Sequence, residues 1–419
     1  MLATSLLGCI PAQAANESTA VATETTTPSS TTTGLLVGKL TGETAMDQAW
    51  SAFVLYKNED NPILQEFALQ GRSQLQYADG HSSNGHFDIE DYKNSGKDEA
   101  VWGDHLDARR NQFGFKSKWF QNWKLEGQID VDPDGKDGPG GDFNLYKDIY
   151  DLFLTYAPSD ELNISIGKQE LKYSGEQGTS SKEIVTFERS MVNNMLFPGN
   201  LTGISVSGKG IKEHWLYEVG VYGNDQVREF SEFDGGTLYM SKIGYDYSSQ
   251  SQLDSAVVSF RYLHNTDPGF KPSKIDLNYS YSSSPAFTDT FVLSNEITQG
   301  RFALLTDLLY GIGDGDLGQS DVVALDIIPT YFIADGLQLA GRIQLASSQD
   351  ADGLKLGSRY EGVSPTSDAT GNSYFSAYLG LNYYIYGHKL KIMNGVEYSH
   401  LGGGDYDGTT FLSGLRFSF

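Results

Sequence analysis

Seven histidines (His81, His86, His105, His214, His264, His388, His400) are scattered among segments that read as loops and strand ends. No G-x-S-x-G elbow, H-E-x-x-H pair or Walker loop is present. A hydrolase needs a nucleophile, a base and an orienting group within reach of one another. His264 close to Ser259 in sequence is a coincidence that any barrel supplies, so a phospholipase working from a lipid-facing Ser and His is the remote alternative and no enzymatic activity is expected. The single cysteine, Cys9, leaves no intramolecular disulfide and no cysteine metal cluster. The run Asp130-Val131-Asp132-Pro133-Asp134-Gly135 matches the opening of a calcium loop, with oxygen ligands on alternate positions. Its twelfth position is Gly141 where a bidentate Glu belongs, and its flanks read as strands. Asp130, Asp132 and Asp134 therefore stand as candidates for a loosely held divalent cation, and no cofactor is expected.

A balanced set of charges lies between Lys168 and Asn200, in the longest of the linkers. Lys168, Lys172, Lys182 and Arg189 there are matched by Glu170, Glu176, Glu183 and Glu188. Capturing an oxyanion needs Arg and Lys converging in a confined place, where charge-assisted bonds gain strength. The local sum is zero, so the alternative is that Glu188 and Arg189 pair to hold the shape of a loop.

Those residues have to be positioned by something, and composition says by what. With 30 basic and 54 acidic residues in 419, the formal charge of -24 repels phosphate backbones and excludes a nucleic-acid partner. No stretch reaches the ~18 apolar residues of a membrane helix. A membrane β-barrel needs apolar residues only at alternate positions, which suits a mean hydropathy of -0.36. In Ile63 to Tyr77, Phe67, Leu69, Leu75 and Tyr77 share one parity, and Gln70, Arg72, Gln74 and Gln76 share the other. Further on, Arg110, Gln112, Lys116 and Lys118 alternate with Phe113, Phe115 and Trp119, which makes Arg72, Arg110, Lys116 and Lys118 a candidate basic ladder in the lumen; Glu126 and Asp130 point the same way. Connections alternate too. Linkers at 78–106, 133–145, 169–200, 311–320, 347–373 and 400–408 are long, whereas 121–122, 158–160, 334–336 and 387–388 are short. An all-β, transmembrane antiparallel β-barrel follows, with sixteen strands, long outer loops and short periplasmic turns. Between 265 and 298, two segments (Ile275 to Tyr281 and Phe287 to Leu293) compete for one descending strand.

Residues 1–14 read as a signal peptide ending at Ala12-Gln13-Ala14. Residues 15–60 read as a Thr/Ser-rich periplasmic tether plus a short segment able to plug or dock at the barrel base, and 61–419 as the barrel. The last strand alternates Phe411, Leu415, Phe417 and Phe419 on one face, and a terminal Phe of this kind resembles the signal that outer-membrane barrels present to their insertion machinery.

Gly167-Lys168, Gly175, Thr179-Ser180-Ser181-Lys182, Phe187-Glu188-Arg189-Ser190, Pro198, Gly203 and Gly208 resemble the central signature of the phosphate-selective porin O and P family. The resemblance extends, more weakly, from about Asn61 to Phe419. It implies a sixteen-stranded barrel, commonly trimeric, in the outer membrane of a Gram-negative bacterium, passing anions or other small solutes by diffusion. The expectation is a water-filled channel set in outer-membrane lipid and narrowed by the loop 169–200, with Lys168, Lys172, Lys182, Glu188 and Arg189 at the constriction. A structural anchor with a plugged lumen is the competing reading.

Overall fold

In a bilayer every backbone N–H and C=O must find a partner within the protein, and a sheet meets that demand only by closing on itself. The computed structural model describes residues 43–82, 85–88, 101–102, 104–131, 145–210, 214–225, 229–233, 235–268, 286–356, 370–404 and 406–419. Among them, sixteen strands close into one antiparallel barrel. The first eight are β1 Leu64–Ser82, β2 Asp104–Trp119, β3 Trp123–Val131, β4 Tyr146–Ser159, β5 Leu162–Glu170, β6 Asn200–Lys209, β7 Trp215–Gly223 and β8 Thr237–Asp246. The rest are β9 Ser255–Asn265, β10 Phe287–Gln299, β11 Phe302–Gly313, β12 Val322–Ala334, β13 Leu337–Ser348, β14 Ser373–Tyr386, β15 Leu390–Gly402 and β16 Tyr406–Ser418. Each strand pairs with the next in sequence. Closure comes from β16 on β1, in register from Arg72 opposite Ser418 to Ser82 opposite Gly408.

The descending strand in doubt is β10, built on the Phe287 segment and paired with β9 and β11. Ile275 to Tyr281 lies outside the described residues, as do residues 1–42 and the acidic run 132–144. Turns at 120–122, 160–161, 300–301, 335–336 and 387–389 join strands at one end; at the other end the β5–β6 insertion is long, but β15 runs to Gly402 and β16 starts at Tyr406, so the linker expected over 400–408 shrinks to 403–405.

Parity decides what each side chain meets. Val323, Ile343, Leu345 and Leu379 are exposed on the outer wall, while Asp307, Asp326, Gln344 and Lys391 from the same region are buried inside. Aromatic pairs sit toward both strand ends: Trp123–Tyr156 and Trp215–Tyr245 near the short turns, Tyr77–Phe411 and Tyr262–Phe291 near the long loops. These are the girdles of a membrane barrel. No helix among the described residues is long and apolar enough to cross a membrane.

One bulge changes the pattern. Gln112 lies opposite Arg72 and Arg109 opposite Gln74, so β2 carries one extra residue, and Arg110 takes a left-handed φ of 50° there. Past the bulge the parity inverts: Leu106 faces outward, 63% exposed, and both Arg109 and Arg110 reach the lumen.

Helix α1 (Ala45–Ser51) begins with a capping box between Thr44 and Asp47. It leads into a short strand, Val54–Lys57, that pairs with β1 at Glu66 to Ala68, where β1 extends below the end of β16. Trp50 Nε1 donates to the Ser418 carbonyl at 2.7 Å, and the Phe53 ring stacks on Phe419 at 4.0 Å. The segment thus docks end to end with the last strand.

Candidate functional site

The connection from β5 to β6 folds into the barrel. Leu171, Tyr173, Val185, Phe187, Met191, Val192, Met195 and Leu196 are buried there and join the apolar cluster that includes Leu309, Ile328 and Met393 from the wall. Two short helices shape the loop: α2 (Gly175–Gly178), capped by Ser174, and α3 (Met191–Leu196), capped by Ser190.

Polar contacts then fix the loop to one side of the wall. Asp307 on β11 accepts from Gly175 N at 2.9 Å and from Glu176 N at 2.9 Å. Glu176 accepts from Ser190 Oγ at 2.6 Å and pairs with Arg342 of β13 at 3.2 Å. Four consecutive loop carbonyls between Ile184 and Phe187 are addressed in part by wall donors: Lys391 Nζ reaches the Ile184 oxygen at 2.7 Å, Asn382 Nδ2 the Val185 oxygen at 2.7 Å, and Arg416 the Phe187 oxygen. Arg342 Nη1 adds the Glu188 carbonyl at 2.6 Å. From the other flank, Gln74 Nε2 donates to the Ser181 carbonyl at 3.1 Å and Arg72 to the Ser181 hydroxyl.

The proposed constriction residues now have places. Glu188 is buried, and its carboxylate takes Arg110 at 2.7 Å, Arg109 at 3.2 Å and Gln76 Nε2 at 2.9 Å. Burial alone would raise this carboxyl, yet Arg110 and then Arg109 hold it well below the usual carboxylate range. Arg189 does not pair with Glu188. It bridges Glu170 at 3.3 Å and the Thr179 carbonyl at 2.9 Å, so both residues brace the loop through separate partners. Lys182 donates to Phe419 O at 3.1 Å; burial, then the like charges of Arg72 and Lys116, push its ammonium down to about 8. Lys172 is half-buried on the loop, and Lys168 is buried on β5 with Asp148, Asp130 and Asp151 for neighbours. Lys116 and Lys118 face Glu66 at 3.9 Å and Glu59 at 3.6 Å and stay solvent-accessible. Arg72 stacks over the Tyr150 ring at 5.4 Å.

On the adjoining strands β3 and β4 the wall carries acid: Asp130 lies in register with Asp148, and Gln128 with Asp151. Asp132 and Asp134 lie outside the described residues, among which no grouping of acidic or histidine side chains could hold a metal ion. Ser259 points into the lumen while His264 faces outward beside Asp289 at 2.9 Å, so the two do not meet.

Sequence parity missed Arg109, hidden by the bulge, and it passed over Arg342, Lys391 and Arg416. Their partners are mainly backbone carbonyls, which carry no residue signature; isolated cations on lumen-facing positions of β13, β15 and β16 were the available signal. Two glycines of the signature have a physical reason. Gly167 has φ +133°, and a Cβ there would meet the Leu152 carbonyl at 2.2 Å; one on Gly175 would meet Asp307 Oδ1 at 2.8 Å.

The profile of the family described as phosphate-selective porin O and P matches residues 81–294, more than half of the chain. The chain belongs to that family. OmpF of Salmonella typhi, solved with daunomycin, superposes with a TM-score of 0.53 at 12% identity, over 84% of this chain and 98% of that one. OprB of Pseudomonas putida gives 0.52 at 10% identity, over 84% and 94%. An anion-selective porin from Comamonas acidovorans gives 0.50 at 11%, over 84% and 99%. At such identities the likeness is one of fold. No curated protein matches the chain. Family and barrel together place this porin in the Gram-negative outer membrane as a channel for passive diffusion.

Proposed function

We propose that small hydrophilic solutes cross this porin through the part of the lumen left open beside the loop, and that small anions, inorganic phosphate among them, are favoured at the neck. The observation that carries the reading is that Arg72 donates to the hydroxyl of Ser181, next in the chain to Lys182, whose ammonium lies 3.1 Å from Phe419 O, so that these cations and Lys116 on the neighbouring β2 converge at one level, with Lys172 on the same loop. Arg109, Arg110, Arg342, Lys391 and Arg416 are engaged in holding the loop; Arg72 also bonds the Ser181 hydroxyl but keeps its charge unpaired by a carboxylate there, so it adds to the local field with Lys182 and Lys116. Glu126 and Asp151 oppose them and keep the preference moderate. Catalysis has no part in this reading, since the carboxylates and hydroxyls of the loop are bound to its own frame. Three copies are proposed to assemble in the membrane, with the exposed aromatic outer wall available for contact, and Phe419 is proposed to address the chain to the insertion machinery.

Burial of so much of the loop favours one second reading, a plugged anchor. Purified protein in planar bilayers separates the two: ohmic single-channel steps are expected, and their absence would leave the anchor. A salt gradient across the same bilayer should give an anion-directed reversal potential; a strongly cation-directed one would remove the anion preference and leave the channel standing.

A further inference from the structure

Two places on the outer wall repeat one arrangement of side chains. On β9 and β10, Tyr262 and His264 stand two residues apart, His264 lies in register with Asp289, and the Tyr262 hydroxyl donates to Asp289 Oδ1 at 2.6 Å. On β15 and β16, Tyr398 and His400 have the same spacing. His400 lies in register with Asp407, its Nδ1 3.8 Å from the carboxylate, and the Tyr398 hydroxyl donates to Asp407. Both arrangements stand near the strand ends opposite the short turns, at the level of the headgroups of the outer leaflet. Their surroundings differ. Around His264 the rings of Tyr239 and Phe291 cover the wall, Tyr239 lying 6.4 Å from His264 and Phe291 5.0 Å from Tyr262.

Beside His400 the wall is hollow. Leu308, Leu325, Leu345, Phe375 and His400 form one row in register across β11 to β15, all directed outward. The next row toward the strand ends is Tyr310, Val323, Ser347, Ser373 and Gly402, in which the side chains shrink from a ring to a hydrogen. Between the rows runs a groove of about 380 Å³, with Ala324 and Ala346 at its floor. Four strand spacings of ~4.8 Å carry it over roughly 19 Å, against ~15 Å for half of the hydrocarbon core. One acyl chain fits that length and that lining. Lipid tails are as apolar as leucine, so the lining alone selects no particular lipid, and the ends of the groove have to do so. Carboxylates stand at both: Asp407 beside His400, and Asp321, which accepts from the Tyr310 hydroxyl at 2.7 Å. A phosphate there would meet two carboxylates, whereas sugar hydroxyls can donate to the carboxylates and accept from the imidazole and the serines.

We propose that this groove seats one acyl chain of an acylated saccharide of the outer leaflet, whose sugar hydroxyls meet His400, Asp407, Ser347 and Ser373. The groove is continuous with the lipid-facing wall of β12, β13 and β14, so a lipid reaches it without displacing protein. Seating a lipid there asks nothing of the neck or of its ion preference, which lie on the other side of the wall.

The test is native mass spectrometry of the full chain, purified in detergent and incubated with one of two probes. The first is lipid A freed of its phosphates, an acylated glucosamine disaccharide; the second is phosphatidylglycerol of matched chain length. After gel filtration, one saccharide lipid should stay bound, retained roughly tenfold more than phosphatidylglycerol, the ratio that two net hydrogen bonds supply. Ser347→Phe or Ser373→Phe puts a ring into the groove from an outward position, where a barrel accepts Phe, and either should lower that retention roughly tenfold. Ile392→Phe, outward on β15 but outside the groove, should leave it unchanged. Asp407→Asn combined with His400→Leu keeps the groove and should bring the two probes to equal retention. Equal retention of both probes by the unaltered chain would make the groove ordinary lipid-facing wall and overturn the assignment, and so would preferential retention of phosphatidylglycerol. Retention of the saccharide lipid that survives both groove-filling variants would overturn it as well.

Discussion

Replacing Glu188 with Gln tests whether the loop is held by charge or merely packed. The carboxylate binds Arg110, whose side chain is 14% exposed, and Arg109, whose side chain is 31% exposed. Removing one member of a buried ion pair costs ~3–5 kcal/mol, because the remaining charge is left uncompensated. The Arg109 contact is close to solvent and adds less than ~1 kcal/mol after screening. Glutamine keeps hydrogen-bonding capacity, which argues for the lower bound, about 3 kcal/mol, or roughly a hundredfold in the ratio of docked to released loop. Lys182 and Arg189 are trypsin sites inside the loop, and cleavage tracks the released fraction when docking is fast. The rate of nicking in detergent should therefore rise about a hundredfold in Glu188→Gln, with added noise in the open-channel current. A nicking rate close to that of the unmodified protein would refute the charge argument and leave apolar packing as the anchor. Because the folded carboxyl titrates below its ordinary range, its contribution is complete above the unfolded value and is lost only as pH falls through the lowered one. Conductance should accordingly stay level from neutral pH down through pH 4 so far as Glu188 governs it.

Further expectations concern neighbouring residues. Arg110→Gln should release the loop more than Arg109→Gln does, since the former is the less exposed partner; equal nicking rates would contradict that order. With its ammonium pushed down to about 8, Lys182 loses charge as pH passes that value, so anion preference in a salt gradient should decline between pH 7 and 9 and be flat in Lys182→Met. Phe53→Ala removes a ring stacked at 4.0 Å on Phe419 and should cost ~1 kcal/mol or more, lowering the temperature at which the folded band is lost in SDS gels. Gly167→Ala should fail to yield a folded barrel, because its Cβ meets backbone rather than a movable side chain.

The barrel was legible because its two periodicities are physical requirements. Alternating residues meet lipid and water, and alternating connections meet periplasm and exterior, so the strand count could be read, while strand ends such as Ser82, Asp104, Gly402 and Tyr406 lie within segments that read as linkers because their polar residues continue the strand beyond the apolar alternation. The loop was legible as a long insertion with balanced charge. Its partners were not. Parity placed Arg110 in the lumen, but the second cation on Glu188, Arg109, could be found only by knowing that Arg110 adopts a left-handed φ, and no residue type announces a bulge at an arginine. Lys391 and Arg416 bind carbonyls, whose positions depend on the loop conformation and not on its side chains. Interactions between side chains left traces in the sequence, and interactions with backbone left almost none.

That division bears on how the net charge of -24 relates to ion preference. Much of the acid in the sequence, Asp88 to Glu99 and Asp132 to Asp142, lies between consecutive strands whose joined ends are those opposite the short turns. At physiological ionic strength charges are screened over ~8 Å, and the apolar band of a barrel is ~25 Å tall. Lys182 lies next to Phe419, toward the far end of that band from the outer loops. The outer acid can then deplete anions at the mouth while leaving the neck to its own field, so lowering the salt concentration, which lengthens the screening distance to ~30 Å at 0.01 M, should move the reversal potential in the cation direction. A preference that does not vary with salt would mean instead that the mouth and the neck act as one electrostatic unit, and that Arg72, Lys116 and Lys182 do not govern selection by themselves.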